Sequence, residues 1–153
     1  MSALVQVGPH LLAVNHLKPY PTWQEFLPLI RKGFDAYCSV AHPKNIQRIG
    51  LRYVNCIEIP GEPVVLDEYL TFRPHVGAAL LQNDGPFILG IQVPFEHGRD
   101  MLQLELTRAA AERPAVFTAI LDLDCSLAKP GQVSLDSAFE WVQIAPRPHR
   151  GRF

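Results

Sequence analysis

Two aspartates, Asp122 and Asp124, lie two positions apart in a strand-like stretch over residues 115–128. Side chains two positions apart on a strand project from the same face, so both carboxylates would point one way. Such a pair can hold a hard cation or supply a general acid and a general base. Aspartates also alternate on strands simply because the face is solvated, and the sequence offers no third acidic ligand nearby. We therefore predict no metal ion and no other cofactor.

Two arginines, Arg48 and Arg52, share one face of a second strand-like stretch, residues 47–60, at a separation of about 13 Å. If the two strands are neighbours, these arginines can form cross-strand ion pairs with Asp122 and Asp124. The alternative is a face that binds a small anionic ligand. The spacing alone leaves both interpretations open.

Asn55 and His97 complete the set of candidate polar residues. Asn55 falls among the inward-facing apolar residues of its strand, where a buried amide needs hydrogen-bond partners. His97 lies beside Gly98 in a predicted hairpin turn, where a histidine is usually just exposed. We predict no catalytic residue. The candidate binding residues are Arg48, Arg52, Asn55, His97, Asp122 and Asp124.

The composition limits the class of protein. The chain of 153 residues is 48% hydrophobic and 19% charged, as expected of one globular domain. Its formal net charge of -1 argues against a nucleic-acid-binding protein, which usually carries a strong basic excess. No apolar run approaches the roughly 20 residues of a membrane span, and the N-terminus lacks a signal-peptide pattern. We expect a soluble cytoplasmic protein with neither nucleic acid nor membrane as a partner.

Neither the cysteine spacing nor any short sequence motif indicates enzymatic chemistry. Cys38, Cys56 and Cys125 are widely spaced, odd in number and without CxxC spacing. This pattern predicts reduced core thiols rather than disulfides or metal ligands. The sequence contains no HExxH, Walker, GxGxxG or GxSxG motif.

The apolar periodicity predicts the elements that must position these residues. Gly8-Pro9 separates two short strands near the start of the chain. Thr22 and Glu25 have the spacing of a capping box at the start of a long helix with one apolar stripe. Ser134 can cap a short C-terminal helix.

The order of these elements predicts the fold class. Residues 87–107 form the clearest hairpin, and no helical pattern separates the strands between residues 87 and 128. We therefore predict an α+β domain over residues 1–145, with a mainly antiparallel sheet of about five to six strands. One long helix is expected to pack on one face of this sheet, followed by a short C-terminal helix. Residues 146–153 are predicted to be a disordered basic tail.

Four stretches together resemble a known family: VQVGPHLLAVNHLKPYPTWQEF, QRIGLRYVNCIEIPGE, FILGIQVPFEHGRDMLQLEL and ILDLDCSLAKPGQVSLDSAFEWV. They are similar to a sporadically distributed family of uncharacterised bacterial and archaeal proteins, over about residues 3–144. The phrases RIGLRYVN and VNHLKPYP are the most specific. Because the biochemical function of that family is not established, the resemblance implies no catalytic residue.

The resemblance also carries expectations about the two ends of the chain. Family members have an additional strand-and-helix region before the equivalent of Leu4 and a longer C-terminal helix, which implies that this chain is truncated at its N-terminus. Dropping one base from a back-translation of residues 145–152 restores helix-forming residues, so we expect a frameshift there. The alternative is a natural basic tail that contacts an acidic partner.

These observations favour a non-enzymatic binding or interaction subunit. Its expected partner is another protein, a second copy of the chain or a small anionic ligand, since a truncated fold would leave an unpaired edge strand and exposed apolar surface. One alternative is a metal-dependent hydrolase or nucleotide-processing enzyme that uses Asp122 and Asp124 with help from Arg52 or His97. The other is a truncated gene product without a function of its own.

Overall fold

The computed structural model describes residues 3–61, 64–70 and 86–146, and within them it has an α+β fold. In these ranges six strands form two antiparallel sheets, one of four strands and one of two. The sequence predicted one sheet of about five to six strands. That prediction is wrong in one respect, because within the described residues the first two strands pair only with each other. None of the helices in the described ranges has the length and apolar composition to cross a membrane.

A hairpin forms the smaller sheet. Strand β1 (Ala3–Gly8) pairs with strand β2 (Leu11–His16) across a two-residue turn, as the Gly-Pro punctuation predicted. Val7 and Leu11 remain 68% and 57% exposed. The hairpin therefore buries little of its own apolar surface.

Helix α1 spans Trp23–Ala41 and begins at the predicted capping box. The Glu25 backbone N–H donates to Thr22 Oγ1 at 3.4 Å, and the Thr22 N–H donates to Glu25 Oε2 at 2.8 Å. The hydrogen bond from the Thr22 backbone lowers the pKa of Glu25. The helix ends at His42, which has a left-handed backbone with φ 45°.

Helix α1 contacts both the hairpin and the core of the larger sheet. A Cβ atom on Gly33 would lie 3.1 Å from Val14 of the hairpin, so the absent side chain allows this close approach. The Tyr37 hydroxyl donates to the Pro9 carbonyl at 3.3 Å. A neighbouring part of the same helix face contacts the core of the larger sheet through Trp23, Leu27 and Ile30.

The larger sheet contains four strands: β3 (Gly50–Pro60), β4 (Ile88–Phe95), β5 (Asp100–Ala109) and β6 (Val116–Leu127). Their order in the sheet is β3-β6-β5-β4, and all neighbouring strands are antiparallel. A short 3₁₀ turn at Glu96–Gly98 joins β4 to β5, which confirms the predicted hairpin. Among the strands that the structure describes, β3 and β4 are the two edges of this sheet.

The strands of the larger sheet divide their side chains between two faces. We name the inner face by the buried residues Leu51, Leu106 and Leu121, and the outer face by Arg52 and Asp122. The burial pattern of β3 alternates as the sequence predicted, with odd-numbered residues inward.

Two core clusters cover different parts of the inner face. The first lies under helix α2 (Ala138–Ile144) and beside α1, whereas the second lies under residues 64–70 and Phe87. The predicted cover by the long helix is therefore correct for the first cluster only. The buried members of the first cluster are Leu51, Cys125, Leu127, Val133, Trp141, Val142 and Ala145. Those of the second are Ile59, Leu70, Leu106, Phe117, Ala119 and Leu121.

Two smaller predictions need correction. Ser134 Oγ accepts from the Ser137 backbone N–H at 3.2 Å and so caps a turn, while the helix proper begins later, at Ala138. The cysteines are all free, but they are not all core residues: Cys125 is buried, whereas Cys56 is exposed because it lies on the outer face. The predicted tail, from residue 147 onward, lies outside the described residues.

Candidate functional site

The outer face of β3 and β6 brings four of the six candidate residues together. Arg52 Nε donates to Asp122 Oδ1 at 2.9 Å and to Oδ2 at 3.1 Å, and Arg52 Nη2 also bonds Oδ2. Arg48 Nη2 donates to Asp124 Oδ2 at 3.3 Å. The predicted cross-strand ion pairs are therefore confirmed.

The register explains which arginine meets which aspartate. Arg52 lies directly opposite Asp124, yet its long side chain reaches the diagonal neighbour Asp122. This leaves Asp124 to Arg48, which precedes the first residue of β3. Diagonal neighbours on a sheet lie within reach of long side chains, so a zigzag of pairs forms along the face.

A third carboxylate joins this group from the next strand. Glu105 of β5 lies directly opposite Asp122, a neighbour that the sequence analysis missed. The hydrogen bond to Asp122 raises the pKa of Arg52, and the charges of Asp122, Asp124 and Glu105 raise it further. With Arg48 and Arg52 against three carboxylates, the group has a formal charge of -1. This charge disfavours a small anion as the ligand.

The same arrangement bears on the metal-dependent alternative. Within the described ranges, no group of three or more histidine, cysteine, aspartate or glutamate side chains could hold a metal ion. Both aspartates already accept hydrogen bonds from arginines. A cation would have to displace Arg52 from Asp122 before it could bind there.

Asn55 and His97 lie away from this group. Asn55 is on the inner face, where its Nδ2 donates to the Leu121 carbonyl at 3.4 Å. His97 lies in the β4–β5 turn with φ 55°, beyond the row where Asp100 pairs with Leu127. That row is three residues, or about 10 Å, from Asp124.

A second polar group, which the sequence analysis missed, lies on the inner face. Asp100 is only 1% exposed, and its Oδ1 accepts from Trp141 Nε1 at 3.0 Å. Its Oδ2 accepts from Arg99 Nε at 3.0 Å and from Nη2 at 2.5 Å. These hydrogen bonds raise the pKa of Arg99. The group joins the β4–β5 turn to helix α2.

Cys125 lies beside this buried carboxylate. Loss of hydration raises the pKa of the Cys125 thiol to about 12, and the charges of Asp100 and Asp124 add to the effect. A thiol of this kind is a poor nucleophile near neutral pH. Cys125 therefore belongs to the core rather than to a reactive site.

A shallow groove of about 510 Å³ lies between the end of α1 and the start of α2. Arg31 covers the ring of Phe139 at 4.7 Å from its centroid, and Arg31 Nε donates to Asp35 Oδ2 at 3.0 Å. Burial raises the pKa of the Cys38 thiol in its wall. These polar contacts are made within the protein, so the groove presents no converging set of catalytic groups.

The edge of β3 is the remaining exposed feature near the arginine–aspartate pairs. Within the described residues, β6 is the only strand that pairs with β3. Leu127 N donates to the Ile49 carbonyl at 3.0 Å, so the backbone groups of odd-numbered residues face β6. The backbone groups of even-numbered residues, such as Val54 and Cys56, consequently face outward.

The chain matches no protein-family model, no curated protein and no solved structure.

Proposed function

We propose that this protein is a non-enzymatic interaction subunit of the cytoplasm, and that the outer edge of β3 is where it meets a protein partner. The observation that carries the proposal is the unpaired row of backbone groups along Gly50–Pro60 in the described structure. An extended segment of another chain can add to such an edge through main-chain hydrogen bonds. Val54, on the same edge, is 46% exposed and would supply apolar contact.

The charged residues beside the edge support binding rather than catalysis. A catalytic carboxylate must be able to reach a substrate proton or a metal ion. Asp122 and Asp124 instead accept hydrogen bonds from Arg52 and Arg48, and the pairs stiffen the outer face next to β3. Their proposed part is to hold the strand in the extended conformation that a partner strand requires.

The cytoplasm is proposed because of the thiols. Cys38, Cys56 and Cys125 are all free, and unpaired cysteines are typical of a reducing compartment. Membership of the sporadically distributed family that the sequence resembles stays a prediction.

The test is native mass spectrometry of the protein purified gently from its own source, as the wild type and as two proline variants. Val54→Pro removes an outward N–H from β3. Gln92→Pro is the matched control on β4. The Arg108 backbone N–H donates to the Phe87 carbonyl, so the backbone groups of odd-numbered β4 residues face β5. Those of even-numbered residues, including Gln92, face outward. Neither variant removes a hydrogen bond of the sheet.

The expected result is a complex heavier than the 17.1 kDa chain that Val54→Pro abolishes and Gln92→Pro preserves. A bare 17.1 kDa mass for the wild type would overturn the proposal. So would a complex that survives Val54→Pro. Circular dichroism of both variants confirms that the fold is retained.

A further inference from the structure

We infer that the chain on the β3 edge is a second copy of this protein, with β3 paired antiparallel to itself about a two-fold axis at Asn55. The inference rests on the proposed function and names its partner. The two larger sheets would then continue into each other across the axis, with their inner faces on the same side. A symmetric dimer of this kind uses one self-complementary patch on both copies.

The backbone direction of β3 is compatible with this pairing. In an antiparallel pair, residues whose N–H and C=O groups face the partner lie opposite each other and exchange two hydrogen bonds. Pairing at Asn55 places Val54 opposite Cys56 of the second copy and Arg52 opposite Glu58 of the second copy. All four are even-numbered residues with outward backbone groups. Both halves of the symmetric pair together give about eight hydrogen bonds.

The charges on the outer face match in the same register. Arg52 and Glu58 are the only charged residues of β3, and each would lie opposite its counterpart of opposite sign. Arg52 is 63% exposed and uses Nε and Nη2 for Asp122, so no described residue takes its Nη1. Glu58 Oε2 accepts a hydrogen bond from Arg113 Nη2 at 2.8 Å. This leaves Glu58 Oε1 for the Arg52 guanidinium of the second copy.

The inner face also matches. Leu51 would lie opposite Ile59 of the second copy, and Tyr53 opposite Ile57, so apolar side chains meet apolar side chains. Asn55 would face Asn55 at the axis, where two amides can hydrogen-bond to each other. Pro60 has no N–H, and it ends the pairing at the last residue of the strand.

The other edge of the sheet does not offer this complementarity. Strand β4 contains no charged residue, so no register of β4 against itself is selected by charge. Gly90 weakens the strand, and Pro94 removes an outward donor close to its end. The second copy is therefore placed on β3 and not on β4.

The test is disulfide trapping at the axis. In the double variant Asn55→Cys/Cys56→Ser, the two introduced thiols would face each other at a non-hydrogen-bonded position, with Cα atoms about 4.5 Å apart. The matched control is Ile57→Cys/Cys56→Ser, whose two thiols would be four residues, or about 13 Å, apart. Both variants keep Cys38 and Cys125, so cross-linking through those thiols would appear equally in the two.

Mild oxidation is expected to convert most of the Asn55→Cys/Cys56→Ser protein to a covalent dimer and to leave the control as single chains. Without oxidant, the wild type is expected at twice 17.1 kDa in native mass spectrometry. Val54→Pro should weaken dimerisation by on the order of 30-fold or more, because it removes one donor from each copy. At a protein concentration near the wild-type Kd, this loss leaves almost no dimer.

The outcomes separate this inference from the proposed function. A complex with a different protein that Val54→Pro abolishes, without trapping at residue 55, keeps the interaction function and overturns the second copy. A dimer that traps through the Ile57→Cys variant instead overturns the register. A single chain with nothing bound overturns both.

Discussion

Arginine–aspartate pairs lie on both faces of the larger sheet, and burial distinguishes the inner pair from the outer ones. On the outer face, Asp122 is 22% exposed and its partner Arg52 is 63% exposed. On the inner face, Asp100 is 1% exposed, and it accepts hydrogen bonds from both Arg99 and Trp141. Both are arginine–carboxylate ion pairs, but only the Asp100 carboxylate is removed from solvent.

This difference decides which pair stabilises the fold. Water already solvates an exposed pair and screens it, so such pairs contribute about 0–1 kcal/mol. A carboxylate in the core depends on its protein donors, and removing one member leaves the others without a partner. Asp122 and Asp124, which the sequence analysis singled out by their spacing, are therefore expected to contribute less to the free energy of unfolding than Asp100.

The largest expected contrast between the faces is in thiol reactivity. Cys56 on the outer face is exposed, whereas Cys125 on the inner face is 1% exposed. We expect Cys56 of the native protein to react with Ellman's reagent on the order of 10³-fold faster than Cys125, because Cys125 reacts only after the core opens. Cys56→Ser should remove the fast phase, and equal rates for the two thiols would contradict the burial of Cys125.

The Cys125 thiol also makes the free energy of unfolding depend on pH. The pKa of Cys125 is about 12 in the folded protein against an ordinary value of 9.0, so the unfolded chain loses this proton first. Its contribution to stability is complete below about pH 9 and is lost as the pH rises towards 12. Urea unfolding of the wild type and Cys125→Ala should show a weaker alkaline decline in the variant.

The next largest effect is expected at Asp100. Asp100→Ala should lower the free energy of unfolding by about 3 kcal/mol, since Trp141 loses its acceptor and Arg99 loses its carboxylate. Urea denaturation measures this loss. Trp141→Phe, which keeps most of the ring and removes only the N–H, should lose about 1–2 kcal/mol. A loss below 1 kcal/mol for Asp100→Ala would mean that the buried group is not important for stability.

The smallest effect is expected on the outer face. Asp122→Asn should change the free energy of unfolding by less than about 1 kcal/mol, because the pair is exposed. Adding Mg²⁺ or Mn²⁺ should not shift the thermal midpoint of either the wild type or the variant. Cation-dependent stabilisation that Asp122→Asn abolishes would instead support the metal-dependent enzyme. Asp124→Asn, which removes the carboxylate that Arg48 contacts, should likewise change the free energy of unfolding by less than about 1 kcal/mol.

Local patterns in the sequence predicted the elements well because local physics decides them. The capping box at Thr22 and Glu25 depends on two residues three positions apart. The alternation along β3 fixed its two faces, and so placed Arg52 beside Asp122 once β3 and β6 were taken as neighbours.

The buried polar group could not be predicted in the same way. Asp100 and Trp141 are 41 positions apart, and they meet only because α2 packs over one end of the inner face. The sequence does give one signal for Glu105, since Gln103 and Glu105 mark the polar face of β5. The use of that signal requires the β5–β6 register, which alternation alone does not fix.

The division of the strands into two sheets could not be predicted for the same reason, because it depends on contacts between distant residues. Alternating residues show that β1 and β2 are strands, but they do not show which strands lie beside them. The apolar side chains Val7 and Leu11 would have suited a place in the main sheet, yet they remain exposed. Side-chain pattern therefore predicted the strand content and not the sheet membership.

The separate hairpin has a consequence for motion. Within the described residues, β1 and β2 share no ladder with the main sheet, and α1, which they contact, has no fully buried side chain. A segment with few buried contacts opens at a lower free energy than the core. The hairpin amides should therefore exchange with deuterium through a partial opening that leaves β5 and β6 protected, so that the molecule opens in two stages rather than one.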